Sequence, residues 1–230
     1  MEWIADNLKR LRSEVEAAAL GCGRRPSEVQ ILAVSKTFSA DCVRRAAECG
    51  QLCFGENRVQ EAREKILQVG RDDLEWHLIG HLQSNKVRHA VQLFHMIQTV
   101  DREELAVKID RISRELGRVM PVLIEVNLAQ EPQKSGISPQ GVEALAARLD
   151  SLPGLQLRGL MTIPPFSPNP EDSRPYFRRL AQMLEKLNRG RSVPLTELSM
   201  GMTGDFKVAI QEGATMIRIG TAIFGPRQVS

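Results

Sequence analysis

The chain has 230 residues, 42% hydrophobic and 26% charged, and its 31 basic against 28 acidic side chains, mixed along the sequence, leave a net charge of +3. That length suits one large core in a single domain over residues 1–230, the charge balance excludes the clustered basic face of a nucleic-acid binder, and no apolar run reaches membrane-spanning length. Cys22, Cys42, Cys49 and Cys53 form no CxxC pair and no disulfide framework, and acidic residues stand where a signal peptide needs basic ones. Buried thiols of a reduced, cytoplasmic protein are expected, with no metal centre.

In chain order, an amphipathic helix over about 2–20 comes first, with Leu8, Leu11 and Val15 on one face. Apolar strand patterns follow at 31–36, 52–54, 76–80, 96–100, 121–127, 155–162, 195–200 and 216–220. Helical stripes lie between them: Val59, Ala62, Ile66 and Val69; then Leu105, Ile109, Ile112 and Leu116 behind a capping box Asp101-x-x-Glu104. Ser138-Pro139 reads as a cap followed by proline at the first helical position, and Phe177, Leu180, Leu184 and Leu187 stripe the last long helix. Regular strand–helix alternation without a flexible linker predicts one closed (β/α)8 barrel. The proline-rich segment 163–170 can be neither helix nor central strand, so it is expected as a rigid loop on the carboxyl-end face.

Ligand chemistry in such a barrel gathers where the strands end. Ile31-Leu32-Ala33-Val34-Ser35-Lys36 delivers an amine to that edge. Such an amine is either a solvated strand-end lysine or a nucleophile able to form an imine with an aldehyde. Ser199 and Gly201 follow the seventh strand, and Gly220 and Thr221 the eighth, in the loops where barrels commonly bind phosphate. Arg218 lies two residues before Gly220, on the same side of its strand, and is either an inward-facing cation or half of a structural ion pair. Ser199 and Thr221 equally suit local turn hydrogen bonds. His77 and His81 do not share a helix face, and the turn between Glu56 and Glu61 does not set a carboxylate spacing, so neither pair reads as a metal or acid–base site.

Several blocks carry a resemblance over nearly the whole chain. Ala33-Val34-Ser35-Lys36-Thr37, Phe54-Gly55-Glu56-Asn57, Trp76-His77-Leu78-Ile79-Gly80, Lys134-Ser135-Gly136, Gly159-Leu160-Met161-Thr162, Leu198-Ser199-Met200-Gly201-Met202 and Ile217-Arg218-Ile219-Gly220-Thr221 are similar, in order, to the signature blocks of the YggS/PROSC family of pyridoxal 5'-phosphate (PLP) homeostasis proteins. The resemblance implies the barrel of fold-type III PLP proteins, like the N-terminal domain of alanine racemase, without its C-terminal β domain. It implies PLP as cofactor, held as an aldimine on Lys36. Ser199, Gly220 and Thr221 would hold the phosphate, Gly201 would belong to the same cofactor-binding set, Arg218 would face the pyridine nitrogen and Asn57 would line the ring pocket. Thr203 stands where the family commonly has serine, which keeps the hydroxyl.

The function so implied is buffering and delivery of PLP by a monomer, with PLP-dependent apo-enzymes as partners and no robust catalysis. The alternative is a racemase of the alanine racemase type. That chemistry needs a second base from another domain, and Tyr176 is the sequence's one tyrosine, in the helix after the proline-rich loop. A third class, a barrel enzyme condensing Lys36 with a substrate carbonyl, would lack the cofactor's visible absorbance.

Overall fold

Short, near-continuous apolar runs form strands when both faces can be buried, and here each run has a helix outside it and the barrel interior within. The computed structural model describes residues 1–226. The strands are β1 (Gln30–Val34), β2 (Cys53–Glu56), β3 (Glu75–Leu78), β4 (Met96–Val100), β5 (Met120–Glu125), β6 (Leu155–Met161), β7 (Glu197–Ser199) and β8 (Met216–Ile219). They pair in parallel in chain order, and β8 closes onto β1. The helices are α1 (Glu2–Gly21), α2 (Ala40–Glu48), α3 (Val59–Val69), α4 (Val87–Leu93), α5 (Glu103–Glu115), α6 (Val142–Asp150), α7 (Arg174–Asn188), α8 (Phe206–Gln211) and α9 (Thr221–Phe224). No described helix is long and apolar enough to cross a membrane.

The main core lies between strands and helices, where Leu8, Phe54, Trp76, Ile109, Phe177 and Ile217 are buried. Leu32, Val34, Cys53, Ile79 and Met216 form a separate interior cluster, and Met96, Leu123 and Met161 another. His77, Gln98, Ser199 and Arg218 are buried as well.

Strand ends differ from the sequence expectation for local reasons. The first strand stops at Val34, because the Ser35 hydroxyl turns to Glu56 and Thr37 enters the left-handed region at φ 69°. The second runs on to Glu56, whose carboxylate is buried against Lys65. The seventh begins only at Glu197, since Leu195 is taken up by the Asn188 side chain, which binds its N–H and its carbonyl. The fifth ends at Glu125, after which the chain pairs with Ile137 instead. The capping box is corrected, for Arg102, not Asp101, precedes α5 and no side chain caps it; Ser138 does stand at an N-cap with Pro139 opening the helix, but of a 3-10 turn and without a side-chain bond, before α6 begins at Val142.

Candidate functional site

Lys36 stands half-buried just beyond β1, and the backbone on both sides of it is gripped from below. The Lys65 ammonium donates to the Ser35 carbonyl at 2.7 Å and to Glu56 Oε1 at 2.6 Å. The Ser35 hydroxyl donates to the same carboxylate oxygen at 2.7 Å. Glu61 accepts from Lys65 at 3.1 Å and from the Thr37 N–H at 2.6 Å. Left-handed backbone costs a β-branched residue about 1–3 kcal/mol, so the Glu61 contact holds a strained turn directly after Lys36. Burial pushes the Glu56 carboxyl up, while Lys65 and Ser35 pull it back. Partial burial also pushes Glu61 up, but the Thr37 N–H and Lys65 outweigh it and leave this carboxyl below its ordinary range.

Beside Lys36 opens a cavity of about 670 Å³ lined by Lys36, Asn57, Arg218, Gly220 and Thr221. Apolar walls come from Val34, Ile79 and Met202, and the proline-rich loop lies across the mouth with Phe166 92% exposed. Asn57 is set by close backbone packing, since a Cβ on Gly80 would sit 2.3 Å from the Asn57 carbonyl oxygen. Gly220 precedes α9, whose first N–H groups have no acceptor inside the helix, and Gly220 and Thr221 both line the cavity. A Cβ on Gly220 would approach the Val34 carbonyl to 3.3 Å.

Arg218 lies inside the barrel, donating to Ser199 Oγ and to the Thr162 carbonyl, each at 2.8 Å. Burial pushes its guanidinium down to about 10 against the carboxylates of Asp205 and Glu125, so it remains cationic at neutral pH. Ser199 is placed differently from its neighbours. Its hydroxyl is 0% exposed, donates to Gln98 Oε1 at 2.6 Å and accepts from Arg218, so it sits beneath the cavity rather than on its wall. Gly201 is also buried outside the wall; at φ 92° a Cβ there would meet Ala209 Cβ at 2.5 Å, and its carbonyl accepts from the Arg218 N–H at 2.9 Å.

Lys65 and Gln98 escaped the sequence reading. Lys65 lies on the buried stripe of α3 with Ala62 and Val69, in the place given to Ile66 from hydropathy alone. Gln98 faces inward by the alternation of β4, a signal that was present but unremarkable without knowing its neighbours.

A closed parallel barrel with a lysine just beyond its first strand, a buried arginine on its last and a glycine–threonine helix start directly after it defines a class. The family described as alanine racemase, N-terminal domain, matches residues 4–228. Within that class the chain is 42% identical over 223 residues to the pyridoxal phosphate homeostasis protein of Aquifex aeolicus, covering 97% of this chain and 98% of that one. It is 44% identical over 236 residues to the protein of that name from Escherichia coli K12, covering 100% and 99%. PipY of Synechococcus elongatus PCC7942, solved with PLP bound, is 41% identical with a TM-score of 0.87, covering 96% of this chain and 100% of that one. The chain belongs to the pyridoxal phosphate homeostasis protein family.

Proposed function

We propose that this protein binds PLP at the carboxyl end of its barrel and serves to hold and hand over the cofactor to apo-enzymes rather than to transform amino acids. The observation that carries the reading is convergence: Lys36, the buried cationic Arg218 and the start of α9 all border one cavity, whose volume suits a small ligand. The apolar walls fit a flat ring, and the donors fit an anion. When bound, PLP supplies an aldehyde carbon that a lysine amine can capture and a ring that can withdraw electrons.

The residues divide the work. Lys36 presents its amine from a turn clamped by Lys65, Glu56 and Glu61. Gly220 and Thr221 offer backbone and hydroxyl donors to the phosphate, and Asn57 borders the ring. Arg218 would stand toward the ring nitrogen, where its charge would disfavour a proton and so blunt the ring's electron withdrawal. The other ionisable groups on the wall are Arg218, which stays cationic, and Asp205, whose carboxylate accepts from the Met202 N–H at 2.7 Å and the Ser173 hydroxyl at 2.9 Å. That leaves the Lys36 amine as the cavity's base, on one side of a substrate, whereas racemisation needs a proton-transfer group on each face.

The test is an absorbance spectrum of the purified protein before and after borohydride reduction, with peptide mapping. The pyridoxyl label is expected on the Lys36 peptide, and Lys36→Ala should lose the visible band while retaining weak binding. A label on another lysine of the stoichiometrically loaded protein sinks the assignment. Incubation of the loaded protein with L- and D-amino acids should give α-proton exchange far below the ~10 s⁻¹ typical of enzymes, while PLP passes to an apo-transaminase.

A further inference from the structure

The amino end of the barrel, opposite the cofactor cavity, holds a second group of side chains with convergent chemistry. Cys53 opens β2 and Glu75 opens β3, where the two are register partners, and His77 follows two residues on. The period of two therefore turns all three side chains to one face of adjacent strands. Cys53 Sγ lies 3.7 Å and Glu75 Oε1 3.0 Å from the same ring nitrogen, His77 Nε2, and one ligand atom from each residue lies within 4.8 Å of the others.

A ring nitrogen carries one proton or one lone pair. A single proton cannot point at both the sulfur and the carboxylate, so hydrogen bonding accounts for one contact and leaves the other convergent without a bond. A nucleophile–base–acid triad does not fit either, because thiol and carboxylate would have to address opposite ring nitrogens. A cation between them satisfies all three. Tetrahedral zinc, with Zn–S about 2.3 Å and Zn–N about 2.0–2.1 Å, sets sulfur and nitrogen about 3.5 Å apart, close to the separation already present.

The surroundings support this. The other ring nitrogen, His77 Nδ1, lies 2.8 Å from Gln98 Nε2, and Gln98 Oε1 is held by Ser199. A half-turn of the Gln98 amide would give its carbonyl to an Nδ1 proton and its NH2 to Ser199 Oγ, freeing Nε2 as a ligand in the outer-shell arrangement usual for metal-binding histidines, at the loss of the Gln98 Nε2 contact to Met216 Sδ at 3.0 Å. Burial first, and then the Glu75 and Glu197 carboxylates, push the Cys53 thiol well up, so a metal must displace the thiol proton as it binds. The site is reached from the side of Glu75, whose side chain is 45% exposed, while Cys53 and His77 are buried.

We propose that Cys53, Glu75 and His77 form a three-ligand site for a borderline divalent metal, Zn²⁺ by preference, with water completing the tetrahedron. Co²⁺ is the probe: chelator-treated full-length protein is titrated with it and the absorption spectrum recorded. One equivalent should produce the intense visible bands of tetrahedral cobalt and a near-ultraviolet thiolate-to-cobalt band, both abolished by stoichiometric Zn²⁺. A Cys22→Ser/Cys42→Ser/Cys49→Ser variant should keep both bands, and Cys53→Ser should lose the thiolate band. The half-exposed Glu75→Gln is expected to weaken Co²⁺ by about tenfold or more, with metal-free circular dichroism melts confirming that each variant is folded. A wild-type spectrum without the thiolate band, or a band that survives in Cys53→Ser, overturns the proposal.

Discussion

Ser199 and Thr221 carry the same functional group, and the structure assigns them different work. Thr221 is exposed at the cavity wall, whereas the Ser199 hydroxyl is consumed between Gln98 and Arg218. Thr221→Ala should therefore weaken PLP by about 1.5–3 kcal/mol, the worth of a hydrogen bond to a charged group, or roughly tenfold and more in Kd, while leaving unphosphorylated pyridoxal nearly unchanged. Ser199→Ala removes a buried partner from Gln98 and Arg218, which costs about 1–3 kcal/mol of folding stability, and it should weaken PLP and pyridoxal alike through a displaced Arg218. Parallel titrations of both ligands, with a urea melt of each variant, separate the two. Equal loss of PLP and pyridoxal in Thr221→Ala removes that hydroxyl from the phosphate site. Gly80→Ala gives a third reading of the same wall: its methyl would collide with the Asn57 backbone, so ligand affinity should fall although residue 80 touches no ligand.

The turn carrying Lys36 is held by neighbouring elements more than by its own propensity. Lys65→Met leaves Glu56 buried without its cation, and breaking such a pair from one side costs about 3–5 kcal/mol. The double variant Glu56→Gln/Lys65→Met should recover much of that stability, yet still bind PLP more slowly than wild type because the Ser35 carbonyl has lost its Lys65 donor, although Glu61 still holds the Thr37 N–H. Stopped-flow capture of PLP by the double variant at the wild-type rate would show that the clamp stabilises the fold without positioning the amine. Much of this was legible beforehand and some was not, for physical reasons. The strands and most helical stripes follow from apolar periodicity, and Lys36, Asn57, Arg218, Gly220 and Thr221 come to one cavity because strand ends of a barrel share a rim. Lys65 was hidden because its stem packs as an apolar residue does while its head reaches a carboxylate on another element, which hydropathy cannot register. The burial of Ser199 between Gln98 and Arg218 was not legible, since a strand-end position does not say whether a hydroxyl stops below the rim or reaches it.

At the scale of the whole barrel, the interior is polar along a continuous line. In the metal-free protein, with His77 carrying its proton on Nε2, Arg218 donates to Ser199, Ser199 to Gln98, Gln98 to His77 Nδ1 and His77 Nε2 to Glu75, so hydrogen bonds run from the cofactor end to the amino end. Glu125, at the carboxyl end of β5, shares this interior without belonging to the line. Burial pushes its carboxyl up to about 7, the Asp101 carboxylate adds to the rise, and Arg218 opposes it. A carboxyl whose folded pKa exceeds its unfolded value of 4.5 binds more protons in the native state between those two values. Its contribution to stability is then most favourable below the unfolded value, is lost as pH rises through the window toward about 7, and is level above it. The full swing is on the order of 3 kcal/mol, at about 1.4 kcal/mol per unit. Glu125→Gln is neutral at every pH and should keep its stability from about pH 5 to about pH 8, so that it gains on wild type across the range set by these pKa values. Urea melts of both proteins at several pH values measure the difference directly. A difference that stays constant with pH would mean that Glu125 is ionised throughout, paired tightly enough with Arg218 to overcome its burial.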